Sequence, residues 1–123
     1  MKCSIHPEAR RELLEAIDYY NGIEPGLGAS FLAEIESAVS LVMEFPALWV
    51  EIENGIRRCL VRRFPYAVLY TAEAGSVFIL AFMHTRRKPG YWSSRRNGRY
   101  PPHAEEHRER RGKQGKGKVT VDA

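Results

Sequence analysis

The chain has 123 residues, 44% of them hydrophobic and 28% charged, with a formal net charge of +4, a length that holds one domain with a core needing neither metal nor disulfide support. The charge is unevenly placed: residues 1–94 carry ten Lys/Arg against eleven Asp/Glu, a net of −1, and residues 95–123 carry nine against four, a net of +5. The high pI therefore belongs to the tail, and basicity alone does not make the folded part a nucleic-acid binder. Cys3 and Cys59 have no CxxC spacing. With no signal-peptide pattern at the N-terminus they read as reduced, buried thiols of a cytoplasmic protein, a disulfide between neighbouring strands being the lesser alternative. No run approaches the roughly 20 apolar residues a membrane span needs, so no membrane association is expected.

Lys2 to His6 reads as a short strand, with Cys3 and Ile5 on one face. Pro7 suits the first turn of a helix and Glu8 its positive end. Ala9, Leu13, Ile17 and Tyr20 recur at helical spacing with Ala16 beside them, while Arg10, Arg11, Glu12, Glu15 and Asp18 are assigned to the outer face. Asn21-Gly22 ends that helix and Pro25-Gly26 makes a turn. A second helix is expected over Leu27 to Glu44, with Phe31, Ile35, Ala38, Val42 and Phe45 as its stripe and Pro46 as its stop. The two helices read as an antiparallel hairpin covering one face of a sheet.

Ala47 to Asn54 is expected to be a connection, with Leu48 and Trp49 packed back on the core. Three strands follow: Ile56 to Phe64, Tyr66 to Ala72 and Ser76 to His84, joined at Phe64-Pro65 and at Glu73-Ala74-Gly75. The first has arginines on both faces. The last is apolar from Val77 to Met83, the pattern of a central strand buried on both sides. The pattern as a whole is an α+β fold, β-α-α-β-β-β, with a helical hairpin on a mainly antiparallel sheet. Residues 95–123, rich in Gly, Pro, Lys and Arg, read as a basic, disordered tail following a domain over 1–94.

The chemistry-bearing residues gather where the last strand ends. His84, Arg86, Arg87, Lys88, Tyr91 and Trp92 follow one another there, and three cations in a row make a field suited to phosphate or to an acidic protein segment. An ordinary solvated strand end is the equal alternative. His84 could carry a proton, the role histidine most often plays in catalysis, though a hydrogen-bonded histidine closing the strand is the commoner case. Tyr91 and Trp92 could stack on a partner, or pack over an edge, the role favoured for Trp92. Arg57, Arg58, Arg62 and Arg63 could line the same surface, or pair with Glu51, Glu53 or helix carboxylates. His6, His84, His103 and His107 are scattered and form no metal set. There is no P-loop, dinucleotide fingerprint or serine nucleophile elbow.

The ordered set PEAR, PGLGASFLAEIESAV, RRFPYAVLY and HTRRKPGYW, over roughly residues 1–94, resembles the RelE/ParE superfamily of type II toxin–antitoxin toxins. The resemblance implies a cognate antitoxin that wraps and neutralises the toxin, and no metal or small-molecule cofactor. It implies two activities: ribosome-dependent mRNA cleavage in RelE-like members and DNA gyrase inhibition in ParE-like members. A non-toxic, antitoxin-binding remnant is a third possibility. In a RelE-like protein Arg86, Arg87 and Tyr91 would be catalytic, whereas Arg58, Arg62, His84, Lys88 and Trp92 would contact the target or the antitoxin. RelE-like members often place an arginine after the aromatic that opens the middle strand, and here Tyr66 is followed by Ala67. Lysine is also absent between Lys2 and Lys88. Both features rank the gyrase-binding reading above the ribosomal one.

Overall fold

The computed structural model describes residues 2–88 and 90–95. The expected helical hairpin on a sheet is present. β1 (Lys2–Ile5) leads into α1 (Pro7–Ile23) and α2 (Leu27–Glu44), followed by β2 (Val50–Glu53), β3 (Ile56–Leu60), β4 (Tyr66–Glu73) and β5 (Ser76–His84). A 3-10 turn over Ser93–Arg95 closes the described chain. The five strands lie in the order β1-β5-β4-β3-β2. β1 runs parallel to β5, and every other pair is antiparallel.

Local chemistry accounts for the helix bounds. Buried His6 caps α1: its Nδ1 accepts the Glu8 N–H at 3.0 Å, and Pro7 follows in the first turn. Gly26, at φ 91°, turns the chain into α2. Gly28 is buried where the helices meet, and a Cβ there would lie 2.7 Å from the Ile17 carbonyl oxygen. Ala9, Leu13, Ala16 and Tyr20 of α1 and Phe31, Ile35, Ala38, Val39 and Val42 of α2 are buried against one sheet face. Each large side chain there is worth about 1.5–3 kcal/mol before entropy.

Four expectations change. Leu48, expected to pack back on the core, is exposed, while Trp49 does pack against it. Part of the connection, Val50–Glu53, pairs with β3 as an edge strand; its exposed, acid-rich sequence hides the alternation that marks a half-buried strand. β3 stops at Leu60, since Arg63 takes φ 69° and residues 61–65 form a loop ahead of β4. Phe45 caps α2 with its ring exposed, so it does not continue the stripe. Cys3 and Cys59 form no disulfide; they lie on strands separated by β5 and β4, too far apart to bridge.

The apolar run in β5 is buried on both faces for a specific reason. Leu69 pairs with Ala81 while the next residue, Tyr70, pairs with Ile79, so Leu80 is a bulged extra residue. Val77, Ile79 and Phe82 face the helices; Leu80, Ala81 and Met83 face the opposite side. That second face is covered by segment 90–95, whose Trp92 is only 2% exposed. Among the described residues no helix is long and apolar enough to cross a membrane and no three potential metal ligands cluster. The tail beyond Arg95, with its expected disorder and with His103 and His107, lies outside the described residues.

Candidate functional site

The end of β5 is built by the pairing of Tyr66 with His84. The two rings meet edge to face, 5.2 Å between centroids. The Thr85 N–H donates to the Pro65 carbonyl at 2.8 Å, which ties loop 84–88 to loop 61–65. Within the first loop the Arg87 N–H donates to the His84 carbonyl at 2.9 Å, and the Arg86 N–H donates to His84 Nδ1 at 3.0 Å. His84 therefore carries its ring proton on Nε2 and closes the strand. Arg86, Arg87 and Lys88 are exposed on this loop, as are Arg62 and Arg63 on the neighbouring one.

Behind the loop lies a second, more buried cluster. The β1 ladder ends at Ile5 opposite Ile79, so β5 beyond that point lacks a strand partner on that edge. Two side chains replace it. Glu12 Oε1 accepts the Phe82 N–H at 3.0 Å, and Arg95 Nη1 donates to the Leu80 carbonyl at 2.9 Å. Arg95 Nη1 and Glu12 Oε2 are themselves 3.2 Å apart, their side chains only 12% and 15% exposed. The pair thus satisfies the edge next to the bulge while neutralising its own charge. Burial still outweighs the Arg95 guanidinium and the Phe82 N–H, and holds the Glu12 carboxyl above its ordinary pKa.

Tyr91 lies between the two clusters. The Arg87 guanidinium sits over its ring at 3.8 Å and that of Arg95 at 5.0 Å. Its hydroxyl is buried without a well-formed hydrogen bond among the described residues. Burial first, and then the nearby Glu12 charge, push the phenol far above its ordinary pKa. A phenol so placed stays neutral at physiological pH and is a poor proton carrier.

Of the residues singled out in the sequence, Arg87 and Tyr91 are in contact, with His84, Arg86 and Lys88 on the same turn. Trp92 is a correction. Its indole is buried in the second core, the cluster that also holds Ile56, Leu69, Leu80 and Ala81, and offers no surface to a partner. Arg58 and Arg62 are exposed, with Arg58 on the second face opposite Val50 and Leu69. The other two arginines of this region are taken by carboxylates. Arg57 lies 3.6 Å from Glu51 and donates to the Trp49 carbonyl at 2.6 Å, and Arg63 lies 3.9 Å from Glu34.

Glu12 and Arg95 escaped the sequence reading, Glu12 as an outer-face residue and Arg95 as part of the tail. Glu12 lies three residues after Ala9 and four before Ala16, both buried, which places it on the border of the stripe. That spacing was the available signal. For Arg95 there was none, because its role depends on an edge left bare by a four-residue β1.

Comparison with known proteins bears on the whole arrangement. Residues 4–89 match the family model of the ParE toxin of the type II toxin–antitoxin system parDE. Among solved structures, a chain of the chromosomal ParDE toxin–antitoxin system from P. aeruginosa superposes with a TM-score of 0.61 at 16% identity. The match covers 68% of this chain and 95% of that one. No curated protein matches. Segment 90–95, with Tyr91, Trp92 and Arg95, lies beyond the matched residues.

Proposed function

The chain belongs to the ParE family of type II toxins, and from that premise we propose that it arrests growth in the cytoplasm by binding DNA gyrase, and that a cognate antitoxin neutralises it. The observation that supports binding over RNA cleavage is the state of the groups a ribonuclease would use. Ala67 is fully buried on the second face, opposite Met83 and Leu60, so the middle strand contributes no cation. The Tyr91 hydroxyl is buried and stays protonated. Arg87 is stacked on the ring, and Arg86 is exposed, with its backbone N–H on His84 Nδ1. Cleavage requires donors that converge on the charge developing at phosphorus, and these groups do not converge. They suit a contact surface.

One observation favours ribosome-dependent mRNA cleavage, without metal, as a second reading: Arg87 and Tyr91 are held together at 3.8 Å. The antitoxin would bring an acidic, amphipathic segment to the helical hairpin and part of the sheet. Leu14, Tyr19, Ile23 and Leu41 are exposed on the hairpin and available as apolar contacts. Growth after induction, with and without the neighbouring antitoxin gene, tests the toxin assignment, and mapping of translated mRNA in the same cells tests the mode. Growth arrest reversed by the antitoxin, with intact mRNA, is the expected result. Codon-specific cuts that vanish in Arg87→Ala would replace gyrase binding by cleavage, and unimpeded growth would leave only an antitoxin-binding remnant.

A further inference from the structure

We propose that the two loops at the end of the sheet, residues 61–65 and 84–88, form a contact surface for the phosphate backbone of duplex DNA, with Arg62, Arg86, Arg87 and Lys88 as its cations. The Thr85–Pro65 hydrogen bond of 2.8 Å holds the loops side by side. All four cations are exposed. None has an ion-pair partner among the described residues, and neither loop contains an acidic residue; the nearest paired arginine, Arg63, is the one that Glu34 takes. Four cations on two adjacent turns, with no acidic residue in either, form a compact positive end on a domain whose residues 1–94 carry a net charge of −1. Such a local field attracts a polyanion although the folded part has no net positive charge.

The remaining side chains narrow the class of partner. A protein interface draws its affinity from apolar and aromatic anchors, and none of the exposed large hydrophobic residues lies in either loop. Single-stranded nucleic acid and RNA loops are held by stacking on free aromatic faces. Here Phe64 is buried against Tyr20 and Phe31, Tyr91 lies under two guanidiniums, and Trp92 is inside the second core. Arginine forks with no exposed apolar anchor in their loops match the sequence-independent part of duplex recognition, which is made of phosphate contacts. The gyrase reading supplies only the place where such DNA is met. The surface itself rests on the loops.

The test is fluorescence anisotropy of the full chain with a short labelled duplex across a salt series, in the absence of gyrase. Each phosphate contact contributes about −0.9 to the slope of log K against log salt. The triple variant R62Q/R86Q/K88Q should therefore flatten the slope by about 2.7, and each single variant by about a third of that, should the triple variant fold poorly. Arg87 is left in place because it holds Tyr91. The variant K113Q/K116Q/K118Q separates any contribution of the tail. An unchanged slope in the loop variants would overturn the proposal. So would competition by polyglutamate as strong as by unlabelled duplex at equal charge, since that would make the loops an acidic-protein site. A failed gyrase assay leaves this measurement intact, and the reverse holds as well.

Discussion

Replacing Arg95 by alanine perturbs the contact on which both the β5 edge and the cover of the second face depend. Arg95→Ala leaves the Glu12 carboxylate buried with the Phe82 N–H at 3.0 Å but without its cation, and strips the Leu80 carbonyl of its 2.9 Å donor. Removing one partner of a buried ion pair typically costs about 3–5 kcal/mol. The lower end applies here, because the side chains retain 12% and 15% exposure and Glu12 can take up a proton. A loss of about 3 kcal/mol corresponds to roughly 12–24 °C in Tm for a domain of this size. Urea unfolding of the wild type, Arg95→Ala, Glu12→Ala and the double variant completes the cycle. The double variant should lose less than the sum of the singles, by about 1–3 kcal/mol. A destabilisation of Arg95→Ala within about 0.5 kcal/mol of zero, as for an ordinary surface change, would refute the edge-capping argument.

Glu12 also sets a pH dependence. Its folded pKa lies above the ordinary value of 4.5, so the folded chain holds this proton more tightly than the unfolded one. Its contribution is fully present below 4.5 and is lost as pH rises through the folded pKa. The stability of wild type minus Glu12→Gln should fall over that interval, and a difference that rises would contradict the assignment. Gly28→Ala should destabilise by more than about 1 kcal/mol, because its Cβ would meet the Ile17 carbonyl oxygen at 2.7 Å, and that backbone cannot yield cheaply. Tyr70→Phe should cost about 1–1.5 kcal/mol in thermal unfolding by removing the 2.7 Å bond to the Pro46 carbonyl. Cys59 is 1% exposed, and burial pushes its thiol up to about 11, so native-state alkylation should modify Cys3 well before Cys59.

The legible part of the fold was the part written in periodicity. The stripes of α1 and α2, the turn at Gly26 and the bounds of β5 follow from spacing and from residues that break structure. The Val50–Glu53 strand was hidden because an exposed edge strand has no reason to alternate, and its Glu51 serves Arg57 on the next strand. The bulge at Leu80 was hidden because an all-apolar run looks the same whichever face each side chain takes. At the site, composition alone marked His84 to Lys88. What organises that turn, the Glu12–Arg95 pair and the sandwiching of Tyr91, joins residues 83 positions apart in the chain and depends on tertiary packing. Trp92 carries the same lesson. Next to a basic run an indole invites a binding role, but the second sheet face needed a cover and Trp92 supplies it.

As proposed, this ParE-family chain acts by occupying DNA gyrase rather than by cleaving RNA. Plasmid supercoiling by purified gyrase, titrated with the full-length protein, tests it most directly. Supercoiling should fall or cleaved DNA accumulate as the toxin reaches the gyrase concentration, with Tyr91→Phe as potent as wild type because the phenol takes no part in proton transfer. Undiminished supercoiling at a large excess of folded protein would exclude gyrase as the target.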